Sequence, residues 1–196
     1  RFRLDTVSLR GMYSQQIHGS KRSLRSVEDF TEFEFRTAYF NGDPIRAMKK
    51  GFPVIDRIHV AHMAQFQNML DFPPAPKLNL HGKLDHSKAT ENEIRGEAVC
   101  FGKGQCSSCH QPPAYLDHQM HDLKLERFLK GGGDGPIKTF TLRGIKDSPP
   151  YLHDGRLLTL EDTKKNKATA PFYAMLLEEE HQLSARNGMV SIVRKI

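Results

Sequence analysis

The pentapeptide Cys106-Ser-Ser-Cys109-His110 constrains this 196-residue chain more than any other feature. Two cysteines separated by two residues, with a histidine directly after the second, form the attachment motif of c-type haem. Both thiols can add to the haem vinyl groups while the imidazole reaches the iron. The motif therefore predicts a covalent haem c, with Cys106 and Cys109 as thioether anchors and His110 as the proximal iron ligand.

Two other kinds of site use closely spaced cysteines, the zinc knuckle and the thioredoxin-like redox pair. Zinc would need a second pair at ligand spacing, and the only other cysteine, Cys100, stands six residues before Cys106. A redox pair would need a βαβ context, whereas the flanks here are rich in Gly and Pro and indicate loops. Haem is the favoured interpretation, and Cys100 is expected to be a small buried apolar residue.

Composition and charge narrow the function classes. The chain is 38% hydrophobic and has no apolar run of 18 residues, so no membrane span is expected. Its net charge is +6, but the Lys and Arg are scattered, which favours docking of an acidic redox protein over nucleic acid.

Covalent haem attachment in bacteria takes place outside the cytoplasm, so a periplasmic location is expected. Because the first residues do not resemble a secretory signal, we expect a mature form or part of a longer chain.

An internal repeat supports the expectation of a longer chain. Ser8-Leu-Arg-Gly11 and Thr141-Leu-Arg-Gly144 are separated by 133 positions, and the match continues without a gap over 22 positions. The second copy lies downstream of the haem motif. The first copy is therefore expected to be the end of another haem domain whose own attachment motif is absent, although a shared structural motif with no haem history would give the same pattern.

Periodicity predicts a mainly α protein with long loops and little β structure. One helix is expected over residues 28–40 after Ser26, and a second carries an apolar stripe from Ile55 to Leu70, where His59 and His62 are expected to be surface or capping residues. Thr90 begins a capping box before a further helix. The expected domains are 1–71, the end of a first cytochrome c-like domain, a Pro-rich linker over 72–89, and a haem domain over 90–196.

Several further motifs accompany the haem motif in a fixed order. They are Gln111-Pro-Pro-Ala-Tyr-Leu-Asp117, His121-Asp-Leu123, Lys138-Thr-Phe-Thr-Leu-Arg-Gly144, Ser148-Pro-Pro-Tyr-Leu-His-Asp-Gly155 and Thr159-Leu-Glu-Asp162. This set resembles the C-terminal haem domain of bacterial dihaem cytochrome c peroxidases, a family that includes related dihaem oxidases. The close resemblance covers about residues 92–163. It implies two cytochrome c-like domains and the reduction of hydrogen peroxide with electrons from a small donor, either a cytochrome c or a cupredoxin.

The resemblance also implies positions for the second iron ligand and for a calcium ion. The second ligand comes from the helix after Thr159-Leu-Glu-Asp162, where this chain departs from the family by carrying several lysines. Met175 is the favoured candidate, and Tyr173, Met120 and His153 are alternatives, although a histidine in the place of His153 usually lies near the haem without binding iron. The family's calcium, held partly by carbonyl oxygens, would correspond to Ser148 and Pro150.

Two arginines suit the haem propionates, because a guanidinium makes paired bonds to a carboxylate. These are Arg143 and Arg156, for which solvent-facing ion pairs are the alternative role. No catalytic residue is assigned from the sequence. The favoured function is the electron-accepting haem domain of a dihaem peroxidase. The alternatives are a non-enzymatic electron carrier or subunit of a redox complex, or part of a dihaem oxidase. A homodimer is compatible with each.

Overall fold

The computed structural model describes residues 8–38, 43–51, 53–122, 135–153, 155 and 157–160. These residues fall into two compact units, one of Leu9–Phe72 and the other comprising Ser8 and the described residues from Pro73 onward. The predicted linker, 72–89, thus lies almost entirely in the second unit. The identification of the first unit as the end of a haem domain stays a prediction.

The described residues of the first unit form three α-helices. They are α1 (Val27–Phe33), which continues as a π-helical turn over Glu34–Ala38, α2 (Pro44–Lys50) and α3 (Arg57–Asn68). Helix α1 begins where the sequence predicts, because the Ser26 hydroxyl accepts a hydrogen bond of 3.1 Å from the Asp29 N–H. The buried apolar cluster of the first unit consists of Met12, Val27 and Ala64, with Phe30 packed against them.

Helix α3 exists as predicted, but the predicted apolar stripe is not its buried face. Val60, Ala64 and Gln67 are buried, whereas Ile58 and Phe66 are 63% and 62% exposed. The two histidines of this helix are exposed, as expected, and His59 lies 2.6 Å from the carboxylate of the capping residue Asp56. Toward α1, Ala64 lies in the buried cluster with Val27, and Gln67 donates to the Thr31 hydroxyl at 2.8 Å.

The second unit contains helix α4 (Glu91–Phe101), which leads into the haem motif. The predicted capping box is confirmed: the Thr90 hydroxyl accepts from the Glu93 N–H at 3.3 Å, and the Glu93 carboxylate accepts from the Thr90 N–H at 2.7 Å. The Glu93 carboxylate also receives the ammonium group of Lys77 at 2.7 Å. The segment predicted as a linker is therefore bonded to the start of α4.

A short antiparallel sheet follows the haem motif in the second unit. Strand β1 (Met120–His121) pairs with β2 (Ile137–Lys138), with Met120 opposite Lys138 and His121 opposite Ile137. Among the described residues this is the only sheet. The prediction of a mainly α fold with little β structure is confirmed. No helix in the described ranges is long and apolar enough to cross a bilayer.

The internal repeat is also a structural repeat. Gly11 and Gly144, at φ 69° and 75°, each precede a 3₁₀ turn, over Met12–Ser14 and Ile145–Asp147 respectively. A bridge between two single residues then follows in each unit, at the same offset of 133 positions. The bridged pairs are His18 with Leu24 and Tyr151 with Leu157.

Candidate haem site

The haem motif forms a tight turn directly after α4. Cys106–Ser108 is a 3₁₀ turn preceded by Gln105 in the left-handed conformation, with φ 51°. The His110 N–H donates to the Cys106 carbonyl at 2.8 Å, which closes the turn. Cys106, Cys109 and His110 are all half-buried, so one small surface carries the two thiols and the imidazole.

The His110 imidazole is oriented by a backbone carbonyl. Its Nδ1 lies 3.0 Å from the Tyr115 oxygen, and because a carbonyl only accepts, Nδ1 is the donor. Nε2 then carries the lone pair that an iron ligand needs. Burial lowers the pKa of His110, against the opposing influence of the Tyr115 carbonyl and the Asp117 carboxylate. The side chain is thereby kept neutral, as metal binding requires.

Tyr115 itself is fixed by a contact with the loop before α4. Its side chain is 1% exposed, and its hydroxyl donates to the Gly82 carbonyl at 2.6 Å. Burial raises the pKa of the Tyr115 hydroxyl, so it remains a donor. Gly82 has φ 71°, and a Cβ there would lie 2.6 Å from the Pro113 Cα, so the two loops approach each other at glycine.

Cys100 is buried as predicted, but it also contacts the motif. It is 1% exposed, and the Cys106 thiol is close enough to perturb its pKa. The interaction of the two thiols, followed by burial, raises the pKa of Cys100, whereas the same interaction lowers the pKa of Cys106. Because the thiolate is the reactive form of cysteine, the lowered pKa makes the Cys106 thiol more reactive.

A carboxylate and a second imidazole lie beside the other anchor. His121 Nε2 is 2.6 Å from the Asp117 carboxylate, and the ligand atoms of both residues lie within 4.8 Å of each other and of Cys109 Sγ. Burial raises the pKa of Asp117, but bonds from the Gln119 N–H and from His121 outweigh it and leave the pKa lowered. A charged carboxylate therefore stands next to the haem motif.

The donor set of the turn suits a covalently bound haem c. Cys106 begins the 3₁₀ turn and Cys109 and His110 directly follow it, so two thiols and one neutral imidazole lie within five residues. The Tyr115 carbonyl accepts from His110 Nδ1, and such a bond to the nitrogen that does not bind the metal orients a metal-binding histidine. A zinc knuckle would need a fourth ligand beyond this set.

The remaining predicted site residues are placed as follows. Arg143 is half-buried and donates from Nη2 to the Pro73 carbonyl at 3.3 Å, so part of its guanidinium binds backbone. His153 is half-buried in the turn between the bridged residues of the second unit, and Ser148 and Pro150 precede that turn. Their roles toward haem propionates, iron and calcium stay predictions. Arg156, Tyr173 and Met175 lie outside the described residues.

Met120 lies in β1 next to His121. Because successive side chains of a strand point to opposite faces, Met120 and His121 face opposite sides of the sheet. The His121 side is the one with Cys109 and Asp117. Met120 as the second iron ligand stays a prediction.

Three contributions to the site were not assigned from the sequence: the Cys100 thiol, the Tyr115 carbonyl and the Asp117–His121 pair. A spacing of four residues between an acid and a histidine was the visible signal for the last. A carbonyl leaves no signal in the sequence, because every residue carries one.

Comparison with known proteins identifies a relative by sequence. The methylamine utilization protein MauG of Methylorubrum extorquens is 32% identical over 138 residues, which cover 65% of this chain. The match covers 36% of the length of MauG, so the chain spans about a third of that relative. No protein-family model matches the chain.

Two solved structures are similar in fold. A MauG-like protein associated with microbial copper homeostasis aligns with a TM-score of 0.68 at 16% identity, over 98% of this chain and 72% of that one. A hydrazine synthase chain of Kuenenia stuttgartiensis aligns with a TM-score of 0.62 at 18% identity, with the same coverage. The cytochrome c-like fold class is confirmed, and the sequence match to MauG confirms the predicted resemblance.

Proposed function

We propose that this chain, a homologue of MauG that resembles the dihaem cytochrome c peroxidases, carries one haem c and accepts electrons within a peroxidase-type oxidoreductase. Homology supports a haem-dependent function of peroxidase or oxidase type. The observation that carries the proposal is the turn that brings two thiols beside His110, whose Nδ1 is held by the Tyr115 carbonyl at 3.0 Å. When bound, haem iron supplies a one-electron redox centre.

Each residue of the turn has a separate role. Cys106 and Cys109 would hold the haem through thioether bonds, and Cys100 lowers the pKa of the Cys106 thiol that would form one of them. His110 would hold the iron through Nε2. Tyr115 fixes the orientation of His110 through its carbonyl, while its own hydroxyl is fixed on Gly82. Arg143 and Arg156 are proposed to bind the propionates.

The electron donor is proposed to be a small acidic cytochrome c or cupredoxin in the periplasm. The net charge of +6 attracts an acidic partner, and such attraction is screened by salt. Reduction of hydrogen peroxide to water consumes two electrons and two protons. In the resembled family that step belongs to the N-terminal haem, so this chain is proposed to receive and pass on electrons.

Covalent attachment is tested by intact mass and by the pyridine haemochrome spectrum after expression with haem-attachment machinery. We expect the mass of the polypeptide plus one haem. His110→Ala should retain the haem but change its spectrum, because the thioether bonds and the iron ligand are independent. Cys106→Ser with Cys109→Ser is the matched control and should give the bare polypeptide mass. A bare mass for the wild-type chain would contradict the proposal.

Peroxidase activity is tested on the full-length protein. We expect stopped-flow mixing of the reduced protein with hydrogen peroxide to reoxidise it within the instrument's time range, and a reduced donor to sustain turnover. The 196-residue chain alone should exchange electrons with the donor but not turn over peroxide. Reoxidation no faster than that of a six-coordinate cytochrome c would refute the peroxidase function and favour an electron carrier.

The match to a protein named for methylamine utilization favours a second candidate, a dihaem oxidase acting on a protein or a small organic substrate. The two enzymes differ in where their electrons come from. After one equivalent of peroxide, a peroxidase returns to its resting spectrum only with a reduced donor protein. An oxidase returns by taking electrons from its organic substrate, without that donor.

Calcium is proposed to bind carbonyl oxygens at Ser148 and Pro150, because oxygen ligands suit a hard cation. Calorimetry on the full-length protein tests this, and an absence of binding heat would remove calcium from the proposal. Analytical ultracentrifugation of the same protein tests the homodimer.

A further inference from the structure

A second set of donor atoms shares one haem anchor. Cys109 Sγ, an Asp117 carboxylate oxygen and an imidazole nitrogen of His121 all lie within 4.8 Å of one another, and the three residues are half-buried. Asp117 is positioned by the Gln119 N–H, 2.9 Å from its Oδ1. His121 is positioned by its pairing with Ile137 in the sheet. The three ligand atoms therefore come from segments that are each held by backbone bonds.

The chemistry of this donor set selects the kind of ion. A thiolate, an imidazole and a carboxylate are the ligands of zinc, and three protein ligands plus water complete its tetrahedral geometry. Thiolate and imidazole disfavour calcium and magnesium, which take oxygen ligands. We propose that the haem-free chain binds a divalent ion of the zinc class through Cys109, Asp117 and His121, and that this binding and haem attachment at Cys109 exclude each other.

Zinc and haem exclude each other at Cys109 because haem attachment converts its thiol into a thioether. When its thiol adds across a vinyl double bond, the sulfur bonds to one carbon and the thiol hydrogen goes to the neighbouring carbon, without net oxidation. The product is a neutral thioether, which is no longer the thiolate that zinc requires. Without Cys109, the zinc ion would have only two of its three protein ligands, Asp117 and His121. The metal site does not depend on the proposed haem function, whereas the exclusion does.

Cobalt(II) is the probe for the metal site, because a cobalt–thiolate bond absorbs in the near ultraviolet and tetrahedral cobalt has visible bands. The full chain is produced without haem-attachment machinery, reduced and titrated with cobalt(II), which zinc should then displace. His121→Gln keeps a hydrogen-bond donor for Asp117 but removes the imidazole ligand. We expect it to weaken binding by more than about 100-fold, since loss of an outer-shell partner alone costs about 10–100-fold.

Cys106→Ser is the matched control, since it removes the neighbouring thiol and leaves the three ligands in place. Its cobalt affinity should equal that of the wild-type chain. The site would be refuted by the absence of a cobalt–thiolate band in the wild-type chain or by equal affinity in His121→Gln. Loss of binding in Cys106→Ser would also refute it, since Cys106 would then be a ligand.

The exclusion is tested by following haem attachment to the reduced chain in vitro with and without one equivalent of zinc. We expect zinc to slow attachment at least tenfold in the wild-type chain and to leave His121→Gln unaffected. Equal rates in the zinc-loaded and zinc-free wild-type chain would refute the exclusion. Failure of both chains to attach haem without zinc would instead count against the proposed haem function.

Discussion

Glu93 is the clearest case in which a buried charge stabilises the haem domain, and Glu93→Gln tests it. The Glu93 side chain is 1% exposed, and its carboxylate receives the Lys77 ammonium at 2.7 and 2.9 Å and the Thr90 N–H at 2.7 Å. Burial raises the pKa of Glu93, but the Lys77 and Thr90 bonds outweigh it and lower the pKa from 4.5 to about 2. A shift of that size corresponds to roughly 3 kcal/mol of stability.

The amide side chain introduced by Glu93→Gln would still accept from Thr90 but would lose the charge attraction to Lys77. Because the Lys77 side chain is 25% exposed, water partly replaces that attraction, and we expect the free energy of unfolding to fall by about 2 kcal/mol at pH 7. A lowered pKa stabilises the folded state above the unfolded pKa, and this stability is lost as the pH falls from 4.5 toward 2. At pH 3 the difference between variant and wild type should drop to roughly half or less.

Urea unfolding of the haem-loaded chain at pH 7 and pH 3, followed by far-ultraviolet circular dichroism, measures both quantities. Glu91→Gln is the matched control in the same first turn of α4, where the Glu91 side chain is 91% exposed and lies 3.7 Å from Arg95. It should change stability by less than about 0.5 kcal/mol. Equal effects of the two substitutions at pH 7, or a Glu93→Gln effect that does not shrink at pH 3, would refute the reasoning.

Three further substitutions test the loops around His110. Tyr115→Phe should destabilise the chain by about 1–2 kcal/mol, since it leaves the Gly82 carbonyl without its 2.6 Å bond, and urea unfolding measures this. Gly82→Ala should cost more than Gly51→Ala in the same assay. Both glycines have φ 71°, but only at Gly82 would the new Cβ meet backbone, at 2.6 Å from Pro113 Cα. Cys100→Ala should move the pH midpoint of haem attachment upward, because it removes the thiol that lowers the Cys106 pKa; an unchanged midpoint would contradict that role.

Features fixed by local bonds were predicted from the sequence. The start of α1 after Ser26 and the capping box of Thr90 and Glu93 each depend on a side chain that reaches a backbone N–H three residues away. Such bonds are set by residue type and spacing alone. The cytochrome c-like fold class, by contrast, was predicted from the family resemblance of the haem motif and its flanking segments.

Features that depend on neighbouring elements were not predicted. The buried face of α3 contains Val60 and Gln67 rather than the more apolar Phe66, because Gln67 donates to the Thr31 hydroxyl of α1 at 2.8 Å. The side chains and carbonyls that surround the haem motif are brought together by residues in the left-handed conformation, such as Gln105 and Tyr115, with φ of 51° and 56°. Such conformations are uncommon without glycine, so residue type does not signal them.

The structural repeat gives the same arginine the same backbone contact in both units. Arg10 donates to the Asp71 carbonyl at 3.3 Å in the first unit, and its equivalent Arg143 donates to the Pro73 carbonyl at 3.3 Å in the second. The 3₁₀ turn after the glycine and the bridge that follows it also recur at the same offset. Part of the Arg143 guanidinium is therefore used to hold the loop that contains it, whatever role its other donors have. The bond from His110 Nδ1 to the Tyr115 carbonyl, by contrast, orients the imidazole of the haem motif.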